Sequence, residues 1–335
     1  MKKLFILTGM ILMISCQLIY AQTKTVEYKL LKKIPVAGNG SWDYLTVDNN
    51  TNRLFISHGN LVDVLDLKTE KVIGQIRNTP GVHGIACVHE FNKGYITAGK
   101  LDSVIVFDLT TLSVLKKIKT GQNPDAIFYD PFSKRIFTCN GKSNSISAID
   151  PKTDIILGTT ALSGKPEAAV TNGKGKIFCN IEDKSTIVML DAKSLKVDAE
   201  WPLKPGKGPT GLAMDYSINH LFAACSKSKQ IIIMSAVNGN VLDTIPMGEG
   251  CDGIVFIPQD QTIISSNGDG TLTVVHQQDP KTYKVIQTVK TSKNARTITY
   301  GRMTRKMYLP CAEVSAENGK RTVVPGTFSI LVIGK

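Results

Sequence analysis

Asp43, His83, Asp125, Glu167, Asp252 and Arg296 recur along the chain at nearly constant spacing, with Thr210 in the remaining place of the series. The successive intervals are 40, 42, 42, 43, 42 and 44 residues. Four carboxylates can hold a hard divalent cation through oxygen donors. An imidazole among them can act as a general base. The same groups can also fix a small polar ligand through several directed hydrogen bonds. All three kinds of chemistry require a fold that brings residues a whole repeat apart to one place.

The text around these positions supplies that fold. In the third copy, Asn123-Pro124-Asp125 leads into four short β-patterned runs, AIFYD, RIFTCN, SISAID and IILGTT. Turn-forming Pro, Ser, Lys, Gly and Asn separate the runs. Seven such copies follow one another without a linker or a shift in composition, and none shows sustained helical periodicity. Four antiparallel strands per period describe one propeller blade. The sequence therefore predicts an all-β chain forming a single seven-bladed β-propeller over residues 26–333. The third run often ends in aspartate (Asp66, Asp108, Asp150, Asp191), which can accept hydrogen bonds from amides two residues on and close the hairpin to the fourth strand. In blade five the pattern puts Ala236 there, and in blade six the stretch 275–281 is lengthened. The last copy ends at residues 328–333 with a third strand and no fourth. Residues 28–34 (YKLLKKI) match fourth-strand text such as 112–118 (LSVLKKI), so the N-terminal strand is expected to complete blade seven.

In such a ring, the loops leading into the innermost strands and those leaving the second strands open on the same face. The repeating positions then converge at one mouth of the central channel, with Trp42 and Tyr44 beside Asp43. His58, Asn140, Asn180, Asn267 and Glu313 leave the second strands further out. The expected ligand-binding set is Trp42, Asp43, His58, His83, Asp125, Glu167, Asp252 and Arg296. Symmetry alone gives convergence, and a repeated aspartate can simply bond its own loop. The breaks from the acidic pattern at His83, Thr210 and Arg296 are what point to a shaped site. The loop 311–327 is long for this position, as lids and binding elements often are. It can instead serve to pack across blades six and seven.

Composition narrows the functions. Lys2 and Lys3 precede an apolar stretch ending at Ala21, which reads as a signal peptide over residues 1–21. Cys16 offers a rival lipidation site, but the apolar run continues past it, so simple secretion is favoured. The expected location is the periplasm, the cell surface or the medium. No other stretch approaches the roughly 20 apolar residues of a membrane-spanning helix. Losing Lys2 and Lys3 lowers the net charge from +12 to +10, and the remaining lysines are scattered through turns. Apart from Cys16, six widely spaced cysteines lie in or beside apolar strands, where they read as buried thiols rather than a disulfide framework. His89 and His220 fall in turns on the opposite face and read as solvated, and His276 has no evident partner. No Gly-x-Ser-x-Gly elbow is present. The glycines at 38–40 and 268–270 precede no helix and are turn residues.

The recurring text from Asn123-Pro124-Asp125-Ala126 onward, and the closing VVPGTFSILVI of residues 323–333, resemble the YVTN repeat of exported YncE-like β-propeller proteins. The resemblance covers about residues 26–333. It implies a binding or scaffold module of the periplasm or cell surface, most simply a monomer, taking a small molecule, glycan or protein on its loop-rich face. Two alternatives stand beside it. One is a metal-dependent hydrolase resembling propeller lactonases, with Asp43, Asp125, Glu167 and Asp252 as oxygen ligands and His83 as base, against which Arg296 weighs. The other is nucleic-acid binding through basic surface, which needs basic residues interleaved with exposed aromatics. No cofactor motif is present, and a divalent cation is the one cofactor the pattern admits.

Overall fold

The computed structural model describes residues 27–317 and 320–335. The expected signal segment, its cleavage site and Cys16 lie outside the described residues. The chain forms seven four-stranded antiparallel sheets, and among the described residues the only helical turns are short 3-10 segments. Blade one consists of Trp42–Asp48, Arg53–His58, Leu61–Asp66 and Lys71–Arg77, and blades two to six repeat that order.

Strand periodicity explains why the blades stack in a ring. In each second strand, successive side chains point to opposite faces of the sheet. Leu54 and Ile56 pack against blade seven, while Phe55 between them packs against Phe107 of blade two. Ile136 joins the core shared with blade two, and Phe137 the core shared with blade four. Each of the seven apolar clusters is shared by two adjacent blades. Burying one such phenylalanine contributes about 1.5–3 kcal/mol, and no blade can gain it alone.

Closure follows the sequence. Lys29–Pro35 pairs antiparallel with Ser329–Gly334 and becomes the outer strand of blade seven. The Tyr28 hydroxyl donates to Asp260 Oδ2 at 2.7 Å, and the Gln287 side chain bonds both the Tyr28 amide (3.0 Å) and its carbonyl (2.7 Å). Tyr28, just before this strand, is thereby tied to blade six as well.

Hairpin aspartates behave as their spacing implies. Asp66 Oδ1 accepts from the amides of Lys68 and Thr69, and Asp191 Oδ1 from those of Lys193 and Ser194. In blade five the position belongs to Ser235 rather than Ala236, and its hydroxyl accepts from the Val237 amide at 3.2 Å. The lengthened blade-six text gives two nine-residue strands, Thr271–Asp279 and Thr282–Lys290. All six described cysteines are reduced, five of them buried.

Two surface expectations need correction. His89 is not merely solvated, because its Nε2 lies 2.7 Å from Oδ1 of the buried Asp48. His220 Nδ1 meets the Tyr283 hydroxyl at 2.7 Å. Sequence spacing gives no sign of these partners, which come from neighbouring blades. The long loop forms a hairpin, Val314–Glu317 with Lys320–Val323, and then returns toward blade one, where the Gly326 amide donates to Asn39 Oδ1 at 3.2 Å.

Candidate functional site

The repeating position sits where the innermost strand is irregular. In blades one to five the register with the second strand shifts around Asp43, His83, Asp125, Glu167 and Thr210. A bulge of this kind re-aims a side chain and often stands beside a functional site. In blades six and seven, Asp252 and Arg296 lie just before the inner strand begins. Hydroxyls stitch the mouth together between blades: Thr297 donates to the Asp43 carbonyl (2.7 Å), Thr97 to the Asp125 carbonyl (2.6 Å), and Thr210 to the Cys251 carbonyl (2.6 Å). Thr210 thus braces the ring.

The four carboxylates do not form an equal ring. Glu167 is held by the Lys165 ammonium at 2.8 Å, which also reaches Glu182 at 2.6 Å. Asp252 Oδ2 is held by Arg296 Nε at 2.9 Å. The remaining two meet at the imidazole: His83 Nδ1 is 2.5 Å from Asp43 Oδ2 and 3.7 Å from Asp125 Oδ1. The latter distance is too long for a hydrogen bond. Asp125 is 7% exposed, and its Oδ1 has no hydrogen-bond partner among the described residues.

Burial and mutual repulsion set the protonation of this cluster. Burial pushes the Asp125 carboxyl well above the ordinary range; His83 opposes the rise, and the other three carboxylates add to it. Burial raises Asp252 to about 7 against the pull of Arg296. It also raises Glu167, which Lys165 opposes. Burial works against a charge on His83, but its hydrogen bond to Asp43 and the nearby carboxylates outweigh this and lift it to about 9. Burial and the fields of all four carboxylates hold the Tyr44 phenol well above its ordinary range, so Tyr44 stands in the channel as a neutral hydroxyl.

Beneath the ring lies a cavity of about 190 Å³, to which all seven blades contribute. Its walls are kept thin by Gly84, Ala126, Ala168, Gly211 and Gly253, with Tyr44 next to the carboxylates. A Cβ on Gly253 would stand 2.9 Å from the Ile298 amide nitrogen, so a larger residue there would force the inner strands apart. The volume is below the roughly 300 Å³ of sites that take a drug-sized ligand. It admits a small molecule or the end of a larger one.

Two residues of the expected ligand-binding set make contacts within the fold. The His58 Nε2 accepts from the Gly40 amide at 3.1 Å, and its Nδ1 lies 2.8 Å from Asp63, with both side chains almost fully buried. Its ring stacks on Phe328 at 4.1 Å, and Trp42 packs on the same phenylalanine at 5.9 Å. His58 and Trp42 therefore lock blade one to the C-terminal strand. Lys165 belongs to the site and was missed. It occupies the position before Pro166 that Asn123 fills before Pro124, so aligning the copies column by column would have shown a cation beside Glu167.

Fold and site together define a class: a seven-bladed β-propeller with carboxylates, a histidine and a tyrosine at one mouth of its channel. No protein-family model matches the chain. Over 136 residues the chain is 25% identical to antigen Lp49 of Leptospira interrogans serogroup Icterohaemorrhagiae serovar copenhageni (strain Fiocruz L1-130), covering 39% of this chain and 30% of that antigen. The chain thus matches less than a third of that relative's length. Among solved structures it is similar to U3-55K (TM-score 0.74) and to the WD40 repeats of RRP9 (TM-score 0.75). In each case the identity is 6%, covering 90% of this chain and 97% of the other. At that identity the likeness concerns the ring fold alone. No helix among the described residues is long and apolar enough to cross a membrane.

Proposed function

We propose that the chain is an exported, non-catalytic binding module that takes its ligand at the carboxylate-lined mouth of the channel. The observation that carries this reading is Asp125: a buried carboxyl with an unpartnered oxygen, 3.7 Å from His83 and next in the chain to Ala126 of the cavity wall. Leaving a buried polar atom unpaired costs about 1–3 kcal/mol, a cost that a bound donor group removes. The Tyr44 hydroxyl, which likewise has no hydrogen-bond partner among the described residues, offers a second contact. Lys165 and Arg296 offset the charge of the outer carboxylates, so the mouth suits a small polar molecule, the end of a glycan or a peptide side chain rich in hydrogen-bond donors. The similarity of the repeats to exported YncE-like propellers and the signal-like N-terminus support an extracytoplasmic setting.

Titrating purified mature protein with panels of amines, sugars and short peptides tests the reading. Saturable binding without turnover is expected, weakened about tenfold or more in an Asp125→Asn/Asp252→Asn variant. Binding that ignores these substitutions contradicts it.

A further inference from the structure

We propose that Asp43, His83 and Asp125 form a site for one divalent transition metal of the zinc, cobalt or manganese kind. The proposal rests on the reading of the mouth as a binding site and names what occupies its core. Sequence spacing suggested four equivalent oxygen ligands, as calcium prefers. The structure removes two of them, because Lys165 holds Glu167 and Arg296 holds Asp252. What remains is a mixed set of one imidazole nitrogen and two carboxylates, drawn from three consecutive blades. Nitrogen with oxygen donors suits borderline divalent metals better than calcium.

The spacing fits. Donor atoms of the three residues all lie within 4.8 Å of one another. A metal bound at about 2.0–2.2 Å from each donor needs them roughly 3.3 Å apart. The observed separations from His83 Nδ1, 2.5 Å to Asp43 and 3.7 Å to Asp125, fall on either side of that value. Binding displaces the proton that bridges His83 Nδ1 and Asp43, which leaves to solvent.

A closed His83–Asp43 pair would account for two of the three residues, but not for Asp125. Its carboxyl is more than nine-tenths buried and aimed at the imidazole, yet it stops short of hydrogen-bonding distance, with Oδ1 unpartnered among the described residues. An ion between the three groups supplies the missing partner. Three protein ligands leave coordination positions open toward the channel, where a ligand oxygen or water can bind.

Co²⁺ alone is the first probe, using metal-stripped full-length mature protein, visible absorption and equilibrium dialysis. The expected result is one Co²⁺ per chain, with visible bands of nitrogen and oxygen ligation. Asp125→Asn and His83→Ala each weaken uptake by about 10–100-fold or more, while His276→Ala, far from the mouth, leaves it unchanged. No uptake, or uptake indifferent to the mouth substitutions, overturns the proposal. Should a variant fail to fold, wild type decides the matter: Co²⁺ must shift the His83 imidazole resonances paramagnetically, and unshifted resonances overturn the site. The organic-ligand panel on the same metal-free protein separates the two readings. Binding there that depends on Asp125, with no Co²⁺ uptake, overturns the metal site and leaves the binding module standing. Failure of both overturns both.

Discussion

Replacing Asp252 with asparagine removes one titrating carboxyl from the mouth and should change how stability depends on pH. In the folded chain burial pushes this carboxyl up to about 7 from an ordinary 3.8. An acid whose folded pKa is raised binds its proton more tightly in the folded state. Its contribution is therefore full below the ordinary value, falls steadily as pH rises from there, and is lost once pH passes about 7. Between pH 5 and pH 8 the folded form gives up nearly a whole proton that the unfolded chain has already lost. Linkage over that window amounts to about 2–3 kcal/mol. Wild type should lose that much stability, relative to Asp252→Asn, on going from pH 5 to pH 8. Asparagine keeps an oxygen that can accept from Arg296 Nε, so the substitution removes the titration while leaving that contact a partner. Urea unfolding at half-unit pH steps, with the slopes compared between proteins, measures the difference. Parallel profiles for the two proteins would refute the claim that Asp252 is a desolvated carboxyl.

Other substitutions separate scaffold from site. Asp63→Ala should cost about 1–3 kcal/mol, because it leaves the buried His58 ring nitrogen and the Gln75 amide without their partner; a loss below about 0.5 kcal/mol in urea unfolding would argue against this buried contact as a brace of blade one. Deleting residues 28–35 removes the outer strand of blade seven and the buried Tyr28 and Ile34. At about 1.5–3 kcal/mol per side chain, the ring should lose several kcal/mol and become open to limited proteolysis in its last blade, whereas an unchanged melting curve would show that closure lies elsewhere. Burial raises the Cys225 and Cys251 thiols to about 12. A thiol reagent should therefore find the native protein nearly inert and react with all six thiols in denaturant; rapid reaction of Cys225 or Cys251 in native protein would contradict their burial.

The ring was legible because it is written seven times. The spacing of Asp43, His83, Asp125, Glu167, Thr210, Asp252 and Arg296 located the innermost strands, and the match of residues 28–34 to 112–118 located the closing strand. Partners were another matter. Whether a carboxylate is free depends on which cation reaches it, and the reach of Lys165 to Glu167 and of Arg296 to Asp252 shows only in the folded ring. His58 looked like a mouth residue because it ends a second strand. It turns inward because Asp63, five residues on, is buried on the facing strand. The Asp48–His89 and His220–Tyr283 contacts join separate blades and could be seen only once the ring was closed.

The five histidines give the most direct test of where this protein binds. His83 stands at the mouth, His58 is buried behind Phe328, His89 and His220 lie toward the opposite face, and His276 sits in the outer half of blade six. Imidazole ¹H–¹⁵N spectra recorded while a ligand from the binding panel is titrated should show His83 shifting first, with a midpoint equal to the binding midpoint, and His89, His220 and His276 still. Shifts at His89 or His220 with His83 unmoved would place the ligand on the other face and contradict the channel mouth as the binding site.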